Sequence, residues 1–229
     1  MYDVVVQGPP CPTLLDVLKC FDHPSVGKII YSSWSDNPPL ILPSHITYIQ
    51  SAKPPLAGGG NVNLQVVSAR EGIKHATSEL VLKTRSDVLL GPSCLSLLED
   101  YHAQHQKLLT LGIAPTHLYP FMTHDFIYFG QRQEVELLFS CLLDNNLNHY
   151  PDLHKAIIPE IYITSHYIAT KEPVVREFCR SPQKYLVQGS PGFDKLSPHS
   201  TTLVPKYFHP LPAVDYTWTK LKDGKKLWA

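Results

Sequence analysis

Val62, Val66, Ala69, Ile73 and Ala76 step by three and four residues, and the apolar run Leu80-Val81-Leu82 begins almost at once after them. The first pattern is the apolar stripe of an amphipathic helix, with Asn63, Arg70 and Lys74 on another face. The second suits a buried strand. A helix joined to a buried strand by so short a link is half of a β-α-β unit, and such units build a largely parallel sheet with right-handed crossovers.

The same alternation recurs along the chain. Residues 2–7 read as a first strand, which Gly8-Pro9-Pro10 breaks, and Pro12 and Thr13 lead into a helix with Leu14, Leu18 and Phe21 on one face. Residues 28–33 make a second strand ending at Trp34 and Asp36, and residues 46–50 a short third. Between 53 and 60 lie two prolines and three glycines, a mobile loop by composition that could act as a lid. After Leu90, Gly91-Pro92 opens a helix through Gln106, followed by strands at 107–113 and 126–130; the second ends at Gly130, a sign of close backbone approach. Val135, Leu138, Phe139 and Leu142 fall in register on a helix over 133–143, and 144–156 is polar and irregular. Pro159-Glu160 starts a further helix, where proline suits the first position and a carboxylate the positive end. From Arg180 onward no periodicity shows. The expectation is one α/β domain over residues 1–180, a mostly parallel central sheet flanked by helices, with 181–229 an irregular tail packed on it.

Composition narrows the function classes. Lys and Arg number 20 and Asp and Glu 20, so nothing draws the whole chain to nucleic acid or an anionic surface, and any anion site must be local. Cys11, Cys20, Cys94, Cys141 and Cys179 are odd in number and scattered, so reduced thiols are expected, with neither a zinc site nor a disulfide framework. No apolar run approaches the roughly 20 residues that span a bilayer. With no basic leader before the first strand, the expected location is cytoplasmic.

The chemistry concentrates at Lys83, Arg85 and Asp87. Side chains two apart in an extended segment project together. If the strand persists to Asp87, all three leave its carboxyl end, where open α/β sheets place their ligand crevices. Two cations and a carboxylate suit a diphosphate and its divalent ion, Mg²⁺ or Mn²⁺, which takes one or two carboxylates and shares the phosphate oxygens. The plainer reading is a solvated strand end with local ion pairing. Trp34, just past a strand end, is the aromatic placed to face a crevice, whereas Tyr128 and Phe129 read as core. His102 and His105 share a helix face but lack a third ligand, so they read as a surface pair. No G-x-S-x-G elbow and no G-x-x-x-x-G-K-[ST] loop is present, which disfavours a hydrolase or P-loop phosphotransferase.

The ordered series Val6-Gln7-Gly8-Pro9, Tyr31-Ser32-Ser33-Trp34, Asn61-Val62-Asn63-Leu64-Gln65 with Ser68-Ala69, Leu82-Lys83-Thr84-Arg85-Ser86-Asp87, and Asp125 through Gly130 resembles the WavE family of lipopolysaccharide-synthesis proteins. The resemblance covers roughly the first two-thirds of the chain. That family is glycosyltransferase-like, so the resemblance implies a single-domain GT-A-like, Rossmann-type sheet. It also implies transfer of a sugar from a nucleotide-sugar donor to a lipopolysaccharide or other surface-glycan acceptor. By the same resemblance Arg85-Ser86-Asp87 stands where GT-A enzymes carry D-x-D, with arginine replacing the first aspartate. Asp87 is then the one metal ligand, for Mn²⁺ or Mg²⁺, and Arg85 faces phosphate or ribose. Gln7 and Gly8 would meet the base and ribose, Asn61, Asn63 and Arg70 would line the donor pocket, and His209 parallels a donor-binding histidine of some GT-A enzymes.

An inverting transfer needs a carboxylate as general base and a cation to stabilise the leaving diphosphate. The candidates for the base are Glu160 and Asp125, and chain order favours Glu160. Their plainer readings are a helix-start charge and a turn residue. A lipid-linked acceptor would be met by peripheral contact at the inner face of the membrane. From another class, a non-catalytic nucleotide- or sugar-phosphate-binding protein would keep the crevice without a positioned base.

Overall fold

Every residue of the first strand, β1 (Tyr2–Gln7), is buried, and the sheet is built outward from it in both directions. In the computed structural model the described residues are 1–143, 158–180, 185–186, 192–218, 220–222 and 225–227. After β1 come α1 (Leu14–Lys19), β2 (Val26–Trp34), β3 (Ile46–Ser51), a 3₁₀ turn at Gly59–Asn61 and α2 (Val62–Ile73). Then follow β4 (Leu80–Arg85), β5 (Val88–Leu90), α3 (Pro92–His105), β6 (Leu108–Thr110), β7 (Ile127–Gln131) and α4 (Arg132–Leu138). The last third holds α5 (Pro159–Lys171), α6 (Pro173–Arg180), α7 (Ser197–Tyr207), β8 (Phe208–Pro210) and β9 (Tyr216–Trp218), with a small antiparallel pair, β10 (Lys220–Lys222) and β11 (Lys225–Leu227), after them.

The central sheet has seven strands in the order β3-β2-β1-β4-β7-β6-β8. β1 pairs in parallel with β2 and β4, and β2 with β3. β7 runs antiparallel to β4 and to β6, and β8 returns parallel to β6. This is the mostly parallel α/β sheet expected, with one strand reversed.

Alternation along the strands sorts the core into two layers, because successive side chains leave opposite faces. Val5, Ile30 and Val81 meet the stripe Val62, Val66, Ala69 and Ile73 of α2, together with Ile161 and Ile168 of α5. Val4, Val6, Leu82 and Phe129 face the other way, onto Leu14, Val17 and Leu18 of α1 and Leu95 and Leu98 of α3. Gly72 lets α2 approach the sheet closely: a Cβ there would lie 2.5 Å from Val5 Cγ1 and 3.0 Å from Ser32 Cβ.

At the amino ends of the strands, buried Asp3 accepts hydrogen bonds from the backbone N–H groups of Lys28 (2.9 Å), Thr77 (2.6 Å) and Ser78 (2.9 Å) and from Ser78 Oγ (2.7 Å). One carboxylate thus ties the entries of β1, β2 and β4. Burial pushes its pKa up, but these donors outweigh that and hold it below the usual range.

Several expectations are corrected. The key strand does not persist to Asp87: β4 stops at Arg85, Ser86 and Asp87 turn, and β5 pairs antiparallel with β9 outside the main sheet. α4 ends at Leu138, so Leu142 lies beyond it and is 80% exposed. The segment after Arg180 is not an irregular tail where it is described, since α7 packs Leu203 and Val204 into the core and β8 completes the sheet edge. His102 is no surface histidine; it is buried edge-on against Phe129. The polar stretch 144–156 lies outside the described residues. The five cysteines are free. Among the described residues no helix is long and apolar enough to cross a membrane.

Candidate functional site

The order of the sheet changes direction between β1 and β4, since β2 and β3 lie to one side of β1 and β4 to the other. Loops leaving two such strands diverge and open a crevice at their carboxyl ends. A cleft of about 870 Å³ lies there, lined from β1 by Gln7 and Gly8, from β2 by Trp34, and from the β4 turn by Arg85, Ser86 and Asp87. Lys53, Gly60 and Asn61 close one side, the first turns of α2 contribute Leu64, Gln65 and Ser68, and Phe126, Pro159 and Glu160 form the opposite wall.

The floor is rigid because its loops are cross-linked. Gly8 has φ +128, in the left-handed region, and a Cβ there would lie 2.7 Å from Ser86 Oγ. Ser86 Oγ donates to Pro9 O at 2.7 Å, Ser86 N to Gln7 O at 2.9 Å, and Cys11 Sγ to Ser86 O at 3.0 Å. Tyr31 Oη holds the Gly8 carbonyl at 3.1 Å. Gln7 is fixed from α2 by Ser68 Oγ, and Trp34 is only 3% exposed while still lining the cleft. On the side closed by Gly60 and Asn61, Gly58, Gly60 and Asn61 all have positive φ, which bends the loop back before α2.

The charged wall is built around Arg85. Its Nε and Nη2 donate to the two oxygens of Asp87 at 2.9 and 2.8 Å, a bidentate fork, while Nη1 reaches both oxygens of Asp125 at 3.2 and 3.1 Å. The guanidinium lies 5.4 Å from the centre of the Phe126 ring. Burial works against its charge, yet Asp87 and Asp125 more than offset this and hold its pKa above the usual range, so Arg85 stays cationic. Glu160, in the first turn of α5, lines the same space; burial and then the charge of Asp125 push its carboxyl up to about 7 against the pull of its own N–H, Arg85 and Lys83.

Of the anticipated residues, Gln7, Gly8, Trp34, Asn61, Arg85, Asp87 and Glu160 come together around the cleft. Five do not line it. Lys83 shares the face of Arg85 but is fully buried, its Nζ donating to Asp125 O at 2.9 Å between the rings of Tyr128 and Phe139; burial lowers its pKa to about 8. Asp125 is 1% exposed, behind Arg85. Asn63 turns to its own loop and donates to Leu56 O at 3.1 Å, and Arg70 donates to Phe139 O and Cys141 O. His209 is stacked on His105, ring centres 3.6 Å apart, and does not line the cleft either. Ser68, Ser86 and Phe126 were missed as site residues. Only position could have flagged Ser86, which sits between two charges at a strand end.

The donor set does not fit a divalent ion. Both oxygens of Asp87 already accept from Arg85, whose fixed positive charge stands between Asp87 and Asp125, where an ion bridging the two would have to sit. Among the described residues no three His, Cys, Asp or Glu side chains cluster as a metal set.

No protein-family model matches the chain, and no curated protein matches it. Among solved structures it is similar to HddC from Yersinia pseudotuberculosis complexed with GMP-PN, at 14% identity and TM-score 0.38, covering 66% of this chain and 81% of that one. It is similar to the mannosyltransferase PcManGT from Pyrobaculum calidifontis in complex with GDP-Man and Mn²⁺, at 14% identity and TM-score 0.45, covering 73% and 52%. It is also similar to residues 1–349 of S. aureus TarS in complex with UDP-GlcNAc, at 13% identity and TM-score 0.42, covering 72% and 53%. The chain spans about half the length of the latter two. Likenesses this faint leave the reaction to be argued from the cleft itself.

Proposed function

We propose that the chain is a glycosyltransferase that moves a sugar from a nucleotide-sugar donor to the hydroxyl of a surface-glycan acceptor, with inversion. The observation that carries the reading is the pairing, across one cleft at the β1/β4 switch point, of a carboxyl held near neutrality with a fixed guanidinium. A general base works best with a pKa close to the working pH. The sequence resemblance to the WavE family points the same way.

In the step proposed, ionised Glu160 takes the proton of the acceptor hydroxyl as its oxygen bonds to the anomeric carbon. The bond from that carbon to the diphosphate breaks, and the nucleoside diphosphate leaves with the electron pair, its growing charge met by Arg85. Trp34, Gln7 and Asn61 line the part of the cleft that would hold the nucleoside. Asp125 is a positioning residue, since it is buried behind Arg85 and acts on Glu160 through charge. Lys83 stays in the core as its counter-charge.

The test is donor consumption together with nucleotide binding for Glu160→Gln. Retained binding of a nucleoside diphosphate with transfer reduced about a hundredfold or more supports the assignment. Unchanged transfer removes Glu160 as the base. Binding of nucleotides with no transfer by the unsubstituted protein would instead identify a non-catalytic binding protein.

A further inference from the structure

Arg85 sits where two acidic side chains converge at the cleft wall. Its bonds take both oxygens of Asp87 and reach both of Asp125, the oxygens a divalent ion would need. The charges in this wall already cancel: Lys83 and Arg85 against Asp87 and Asp125, with Glu160 in excess only when ionised. A dication entering between the two aspartates would meet a guanidinium at hydrogen-bond range, with no vacant carboxylate pair to compensate the repulsion. The same guanidinium is a cleft-lining group, its side chain 22% exposed, so an anion entering the cleft meets a cation that belongs to the chain.

We infer that Arg85 stands in for a divalent ion, so that a nucleoside diphosphate binds in this cleft without added metal. The inference deepens the proposed function and rests on it for the nucleotide. The geometry of the two aspartates around Arg85 does not depend on it. Removing the guanidinium must therefore create what this wall now lacks: two facing carboxylates with no cation between them, a site suited to Mn²⁺.

The experiment has two arms. In the first, thermal unfolding of the unsubstituted protein, Arg85→Ala and Arg85→Lys is followed in EDTA and in millimolar Mn²⁺, with no nucleotide. The expected result is no shift for the unsubstituted protein, a lower melting temperature in EDTA for Arg85→Ala, and a rise of several degrees on adding Mn²⁺ to that variant. Arg85→Lys keeps a cation but cannot fork to both aspartates, and is expected to fall between the two. Should Arg85→Ala not fold in EDTA, folding restored by Mn²⁺ counts as the same result. Saturable Mn²⁺ binding to the unsubstituted protein that is lost in Asp87→Asn overturns the inference, as does an Arg85→Ala variant blind to metal.

In the second arm, binding of UDP and GDP to the unsubstituted protein is measured by calorimetry in EDTA and in Mn²⁺. Affinities equal within about twofold support the inference. Binding that collapses in EDTA overturns it while leaving the proposed function standing. Failure of both nucleotides to bind in either buffer counts against that function, and the first arm still decides the role of Arg85.

Discussion

Replacing Glu160 with glutamine should make the protein more stable at pH 8 and do nothing for it near pH 4. In the folded state burial and Asp125 raise this carboxyl from an ordinary 4.5 to about 7. The folded chain therefore binds the proton more tightly than the unfolded one, and stability falls as pH climbs from the unfolded value to the folded value, levelling off above it. At about 1.4 kcal/mol per pKa unit, a rise from 4.5 to about 7 corresponds to roughly 3 kcal/mol lost by pH 8. Glu160 is partly open to the cleft, which trims that to about 1–3 kcal/mol. Glutamine keeps the shape without the charge and should recover it. Urea unfolding at about pH 4 and about pH 8 measures the difference, with an unchanged slope showing that the states compared are the same. For a chain of this size the gain is about 2–4 °C in Tm for each kcal/mol. A variant no more stable than the parent at pH 8, or equally stabilised at both pH values, refutes the placing of Glu160 in a desolvated, like-charged environment.

Other outcomes follow from the same contacts. Transfer should rise with pH to half its maximum near 7, as Glu160 ionises, and Lys83→Met should move that midpoint upward because Lys83 lowers the Glu160 pKa; a pH profile of kcat/KM reads both. Asp3→Ala strands three backbone donors and should cost about 3 kcal/mol or more in urea unfolding. The Asp3 contribution is present above its unfolded pKa of about 3.9 and lost as acid carries the pH down through the lower folded value. Gly8→Ala forces a Cβ towards Ser86 Oγ at an unfavourable φ, and should weaken nucleotide binding at a stability cost of about 1–3 kcal/mol, read by calorimetry beside urea unfolding. Gly72→Ala should lose about 1–3 kcal/mol as α2 is pushed off Val5, more than the helix gains from alanine.

What the chain declares locally, it declares well. The bounds of β1, the stripe of α2, the Gly91-Pro92 start of α3 and the Pro159 start of α5 follow from apolar period and from the backbone preferences of glycine and proline, which act within a few residues. The place of the cleft followed too, because a β-α-β order implies divergent strand ends. Tertiary structure alone decided the direction of β7 and the return of β8 to the sheet edge. A strand reads the same in either sense, and its partner lies far away in sequence. It also decided what each charge does. Period two put Lys83 and Arg85 on one face, but only packing against Tyr128 and Phe139 buried the first and left the second at the cleft. Arg85 is joined to Asp125 across 40 residues, and Arg70 is drawn to carbonyls about 70 residues away. Such pairings are set by where the fold brings unmet donors and acceptors together, which no local pattern encodes.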